Sequence, residues 1–119
     1  MATIRLKRVY DPPEPGDGTR ILVDRLWPRG LKKAEAVLDV WSKELAPSAE
    51  LRRWFGHDPA RWEEFRRRYR QELTARPDEL ARLAEAARAG PVTLLFAARD
   101  ETRNNAVVLK EMLEELDGN

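Results

Sequence analysis

Cysteine is missing from the 119-residue chain. That excludes disulfides, thiolate nucleophiles, iron–sulfur clusters and Cys-ligated zinc, and removes any argument for an oxidising compartment. Histidine is scarce as well: His57 is the single one, so one chain cannot assemble a multi-histidine metal centre. Carboxylates alone remain able to hold magnesium or calcium, but no metal ligand set and no cofactor is expected. An excess of charge of one sign is also lacking. Lys+Arg number 22 against 21 Asp+Glu, which argues against a surface-wide footprint for nucleic acid and leaves room only for a local basic patch.

Long apolar runs are absent. No stretch approaches the roughly 18 residues a membrane span needs. The N-terminal run Met1-Ala2-Thr3-Ile4-Arg5-Leu6-Lys7-Arg8 has neither the apolar core nor the small-residue cleavage site of a secretory signal. The expectation is a cytoplasmic protein with no membrane association. There is no Gly-x-Ser-x-Gly elbow, no phosphate-binding Gly-Lys-Ser/Thr loop and no dinucleotide fingerprint. The length fits one domain over residues 1–119, able to bury about two-thirds of its unfolded surface without staples.

What is present reads as a layered α/β fold. Ile4, Leu6 and Val9 alternate loosely with Arg5, Lys7 and Arg8, the pattern of an edge or half-exposed strand. Asp11 to Gly18 is turn chemistry throughout. Ile21-Leu22-Val23 and Val92 to Ala98 are apolar without alternation, so both are expected to be strands covered on two faces. Val37 to Trp41 is a further candidate strand. Asp58-Pro59 is a helix start, after which Trp62, Phe65, Tyr69 and Leu73 recur on one face. Asp78 to Ala89 is a second helix closed by Gly90-Pro91. A last helix carries Val108, Leu109, Met112, Leu113 and Leu116. Strand, helices, buried strand and helix together predict a mainly parallel sheet flanked by helices, with Ile21–Val23 and Leu94–Phe96 central and adjacent or nearly so.

Several of these segments form a recognisable set. Arg8-Val9-Tyr10-Asp11, Leu22-Val23-Asp24-Arg25-Leu26-Trp27-Pro28-Arg29-Gly30, Trp54-Phe55-Gly56-His57-Asp58-Pro59 with Trp62, Ala97-Ala98-Arg99-Asp100 and Asn105-Ala106-Val107-Val108-Leu109 span nearly the whole chain. On them the sequence resembles the YeaO-like branch of domain-of-unknown-function family 488. The resemblance speaks to fold and leaves the chemistry open. Relatives in that branch often carry a histidine in the turn before the last helix, where this chain has Arg103 and Asn104. A sister branch carries a Cys–Glu pair at the end of the last strand and a Cys–His–Arg run at the following helix. Those positions fall here on Phe96, Ala98, Asn104, Asn105 and Ala106. None is retained, so thiol or metal chemistry does not carry over.

Ligands of open α/β sheets bind beyond the carboxyl ends of the strands. Two of the expected strands run there into charge. One leads into Asp24, Arg25, Leu26, Trp27, Pro28, Arg29 and Gly30, the other into Arg99 and Asp100 directly before a helix start. A helix N-terminus favours an anion, and guanidinium forks match phosphate and carboxylate. The site read from the sequence is therefore an anion pocket lined by Asp24, Arg25, Trp27, Arg29, Arg99, Asp100 and Arg103. Arg29 and Arg99 are expected to approach each other, with Asp24 holding one of their guanidiniums. The competing bland reading is that Asp24 ties loops together and Asp100 caps the last helix. Histidine is the residue type that ordinarily titrates near neutral pH, so His57 is the default acid/base group; its bland reading is a packing or capping role between helices.

The second functional reading is a nucleic-acid-associated module. In the helix after Pro59, Glu63 and Glu64 stand four before Arg67 and Arg68 and neutralise them locally. Arg66 and Arg70 have no acid between them, and with Arg52 and Arg53 they form the one local basic patch available for phosphates. The third reading is a partner-binding domain. The sequence leaves the oligomeric state open.

Overall fold

A computed structural model describes residues 3–118. Met1 and Ala2, the start of the N-terminal run considered above, lie outside the described residues, as does Asn119. The strands are β1 (Ile4–Arg8), β2 (Thr19–Leu22), β3 (Val40–Trp41) and β4 (Val92–Phe96); the α-helices are α1 (Lys33–Ala36), α2 (Ala49–Phe55), α3 (Trp62–Thr74), α4 (Pro77–Ala89) and α5 (Asn105–Gly118).

The strands form one parallel sheet in the order β1-β4-β2-β3. All five residues of β4 are buried, as a run apolar but for Thr93 requires of a strand with a neighbour on each side and cover on both faces. Ile21 pairs with Leu94 and Leu22 with Leu95, so the two apolar runs are adjacent, parallel and central. Val23, just past β2, extends the ladder by donating its N–H to the Leu95 carbonyl (3.1 Å). β1 takes the edge, where its Arg and Lys side chains discourage pairing with another chain.

The two faces are covered unequally. Ile21, Val23, Leu94 and Phe96 point toward α2–α5 and share a core with Phe65, Tyr69, Leu83 and Leu109. On the other face, Val9, Leu22 and Leu95 pack under Trp27, Leu31 and Leu38 from the segment between β2 and β3, and under Trp41 of β3. That segment holds only the one-turn helix α1. Helices flank the sheet mainly on one side; a loop closes the other.

The stretch Val37–Trp41 contributes only Val40 and Trp41 to the sheet. Val37 adopts a left-handed conformation (φ 47°, ψ 59°) and ends α1. Asp39 then bridges to β2, donating its N–H to the Arg20 carbonyl (2.9 Å) and accepting the Arg20 N–H at Oδ2 (2.8 Å). A β-branched residue in the left-handed region is strained by about 1–2 kcal/mol. Because Val37 is exposed, Val37→Asn removes strain without emptying the core. It should raise stability by about 1 kcal/mol, read as a higher denaturant midpoint; an equal or lower midpoint would refute strain at this position.

Gly18 is required for two reasons. Its φ is +64°, and a Cβ would meet the Pro91 carbonyl oxygen at 2.1 Å. The contact lets Thr19 N–H bond that carbonyl (3.0 Å) and start β2 alongside β4.

Candidate functional site

Since β2 and β4 are parallel neighbours, the chain leaves both on the same rim of the sheet. The segment after β2 and the turn between β4 and α5 form two walls of a cleft of about 660 Å³; the C-terminal end of α2 and its following turn form a third. Asp24, Arg25, Trp27, Arg29, His57, Arg99 and Asp100 all line it. Residues more than 70 positions apart in sequence thus meet in one concavity.

Asp24 sits at the join and does not hold a guanidinium, contrary to the sequence expectation. Its Oδ2 accepts the Ala97 N–H (2.9 Å), and its Oδ1 accepts from Asn105 Nδ2 (3.1 Å), which also donates to the Val23 carbonyl (2.9 Å). One carboxylate therefore stitches the ends of β2 and β4 to the first turn of α5. Burial pushes the Asp24 carboxyl above its ordinary value, opposed by the Ala97 and Asn105 hydrogen bonds and by the nearby charges of His57 and Arg52.

Asp100 is also occupied internally. Its Oδ1 accepts from the Thr102 N–H, the Thr102 hydroxyl and the Arg103 N–H, each at 3.0 Å. Those hydrogen bonds, with Arg103 Nη1 on Oδ2 (3.2 Å), hold its carboxyl down at about 2. Arg103 is thereby folded onto Asp100 and is not among the cleft-lining residues. The cap of α5 is Asn104, whose Oδ1 accepts the Val107 N–H (3.1 Å) while its Nδ2 donates to the Asp100 carbonyl (2.9 Å). The helix N-terminus is thus already served by a side chain of the protein.

The other cations are less engaged. Arg25 donates from Nε to the Pro47 carbonyl (3.1 Å). Arg29 is fixed through its backbone, its carbonyl accepting the Tyr10 hydroxyl (2.8 Å). The side chains of Arg29, Arg52 and Arg99 make no ion pair among the described residues. His57 follows Gly56, and both have positive φ (57° and 52°); this tight turn after α2 sets the imidazole on the cleft wall, its ring 6.0 Å from that of Phe55.

Arg52 was grouped with the basic patch by sequence, yet it lines the cleft. The rest of that patch is largely neutralised across helices. Arg66 makes a bidentate pair with Glu111 (2.9 and 2.6 Å), and Arg70 reaches Glu115 (2.5 Å). These acids lie 45 residues away on α5, beyond any local spacing rule.

Sequence reasoning missed Tyr10, Asn104 and Asn105 as cleft residues. The signal for the asparagines was their place at a helix start, where Asn caps well. Tyr10 reaches the cleft only because β1 lies beside β4. The positions at which the sister branch carries Cys, Glu, His and Arg also fall here: Ala98, Asn104 and Asn105 line the cleft, and Phe96 and Ala106 are buried in the core.

Fold and cleft define a parallel α/β protein with a cationic cleft at the strand ends. The chain belongs to the family described as the "Inactive DUF488-N3 subclade", whose model matches residues 3–117. It is 50% identical over 113 residues to "Uncharacterized protein YeaO" of Escherichia coli (strain K12), covering 95% of this chain and 98% of that protein. It is 43% identical over 112 residues to "Uncharacterized protein Rv3073c" of Mycobacterium tuberculosis and to "Uncharacterized protein Mb3100c" of Mycobacterium bovis, covering 92% of each chain. No solved structure matches the chain significantly.

Proposed function

We propose that this protein is a small-ligand domain whose cleft receives a phosphate- or carboxylate-bearing molecule in the cytoplasm. Arg29, Arg52 and Arg99, one from each of the three walls, are its electrostatic clamps, and Arg25 lies on the same wall as Arg29. The observation that carries the reading is an imbalance. Both acids of the cleft are consumed by internal hydrogen bonds, while three guanidiniums beside them make no ion pair among the described residues. Like charges around one concavity repel one another until an anion enters.

Binding rather than nucleophilic catalysis fits the donor set. The described lining holds no Ser, Thr or Lys side chain, the chain has no Cys, and the Tyr10 hydroxyl is committed to the Arg29 carbonyl. The family description, an inactive subclade, agrees with that reading. His57 is the group we assign to any proton exchanged with the bound anion. A nucleic-acid surface on α3 is less well supported, since Arg66 and Arg70 spend their charge on Glu111 and Glu115.

Arg29→Ala should weaken binding of inorganic phosphate or acetate by about 1.5–3 kcal/mol, the range for a charged hydrogen bond. The fold should stay cooperative, because the Arg29 side chain is exposed. Titration calorimetry of parent and variant checks this. A variant that binds every anion of a panel as the parent does would end the proposal.

A further inference from the structure

The cleft is much larger than an inorganic anion, and most of its wall is carbon. Two of the large hydrophobic side chains that remain exposed, Tyr10 (41%) and Leu26 (56%), stand on it. Phe55 and Phe65 lie at its base, stacked with centroids 4.3 Å apart and planes 22° apart. Trp27 forms a further wall, held edge-to-face by Trp41 at 5.4 Å.

The polar atoms of Trp27, Tyr10 and the adjacent end of β4 are already used. Trp27 Nε1 donates to the Leu31 carbonyl (2.7 Å), and the Tyr10 hydroxyl to the Arg29 carbonyl. At the end of β4, the Ala97 N–H bonds Asp24, and the Ala97 and Ala98 carbonyls accept Arg8 Nη2 (2.9 Å) and Nε (3.0 Å). Aromatic groups whose polar ends are satisfied inside the protein offer a ligand only ring face and edge. What the cleft presents is therefore apolar surface and guanidinium, with few hydrogen-bonding groups between.

Building on the anion reading, we propose that the ligand is an aryl anion: one phosphate or carboxylate group on a flat, apolar body. The arginines take the charged group. The ring body lies against Trp27, Tyr10 and Leu26, covering the hydrocarbon that the fold leaves open to water. Pockets of this size ordinarily enclose a small organic molecule, with a few polar groups fixing its orientation. A ligand rich in hydroxyls is disfavoured, because it would give up its hydration to surfaces that return few hydrogen bonds.

The test compares inorganic phosphate, phenyl phosphate and uncharged benzyl alcohol by calorimetry, on the parent protein, Arg29→Ala and Leu26→Ser. Phenyl phosphate is expected to bind about tenfold or more tighter than inorganic phosphate, from burial of the ring. Leu26→Ser should lower phenyl phosphate affinity several-fold more than inorganic phosphate affinity, whereas Arg29→Ala should lower both. Leu26 is exposed, so its replacement leaves the core intact. Equal affinity for the two phosphates would overturn the aryl ligand and leave the anion site standing. Binding of benzyl alcohol as tight as phenyl phosphate, or no binding of either phosphate at millimolar concentration, would overturn the anion site and the aryl ligand together.

Discussion

Asp17→Asn is expected to lower folding stability by about 3–5 kcal/mol, the cost of breaking a buried ion pair from one side. Asp17 is 1% exposed and Arg20 3%. Arg20 Nη1 approaches Asp17 Oδ2 at 2.5 Å, and Lys7 Nζ reaches both carboxylate oxygens at 3.1–3.2 Å. The Glu14 N–H adds a bond to Oδ2 (3.0 Å), and Thr93 Oγ1 donates to the Asp17 carbonyl (2.7 Å). Residues of β1, β2 and β4 are thereby clamped to the turn-rich segment 11–18. Asparagine keeps the shape but removes the negative charge, which leaves the Arg20 cation buried without compensation.

Burial alone would push the Asp17 carboxyl up. The hydrogen bonds from Glu14, Lys7 and Arg20, with the Lys7 charge, outweigh burial and hold it below its ordinary value. An acid lowered in the folded state stabilises fully above its unfolded pKa of about 3.9, and the contribution is lost as pH falls through the folded value. The parent should therefore lose stability below about pH 4 more steeply than Asp17→Asn. Asp24 works in the opposite sense: its raised carboxyl favours the folded state as pH falls toward its unfolded value. Arg20→Met should cost less on the Asp17→Asn background than alone, since the two side chains are in contact. Additive costs, or an Asp17→Asn denaturant midpoint equal to the parent's, would show that the network does not hold the segment down.

Leu95→Ala should destabilise by about 2–5 kcal/mol through the cavity it leaves. Leu95 is fully buried on the loop-covered face, in a small cluster with Val9 and Leu22. Few side chains there are free to move inward, because Arg20, Thr93 and Asp17 share the same layer and are held by hydrogen bonds. Trp27 and Trp41 pack on this cluster, so the cavity also loosens a wall of the cleft. Equilibrium unfolding measures the loss; an unchanged midpoint would place Leu95 outside the packed core.

The sequence by itself determined the two central strands, because Ile21–Val23 and the run Val92 to Ala98, apolar but for Thr93, lack the alternation of a half-exposed strand and are too short for a buried helix. It determined α3 and α4 through their apolar stripes, and the absence of thiol chemistry through the absence of cysteine. It also put Asp24, Arg25, Trp27, Arg29, Arg99 and Asp100 on one rim, since parallel neighbouring strands must exit on the same side. Tertiary structure decided the partners. Lys7 reads as a polar position of a half-exposed strand, yet it points under segment 11–18 to Asp17, where it meets the buried Arg20. Arg66 and Arg70 read as a free basic stripe, yet α5 brings Glu111 and Glu115 against them. Asp24 read as an arginine's partner, and the Ala97 N–H and Asn105 took it instead. The physical reason is range. Burial patterns and caps are written over a few neighbouring residues, whereas an ion pair forms between whichever charges the packed layers bring within about 4 Å.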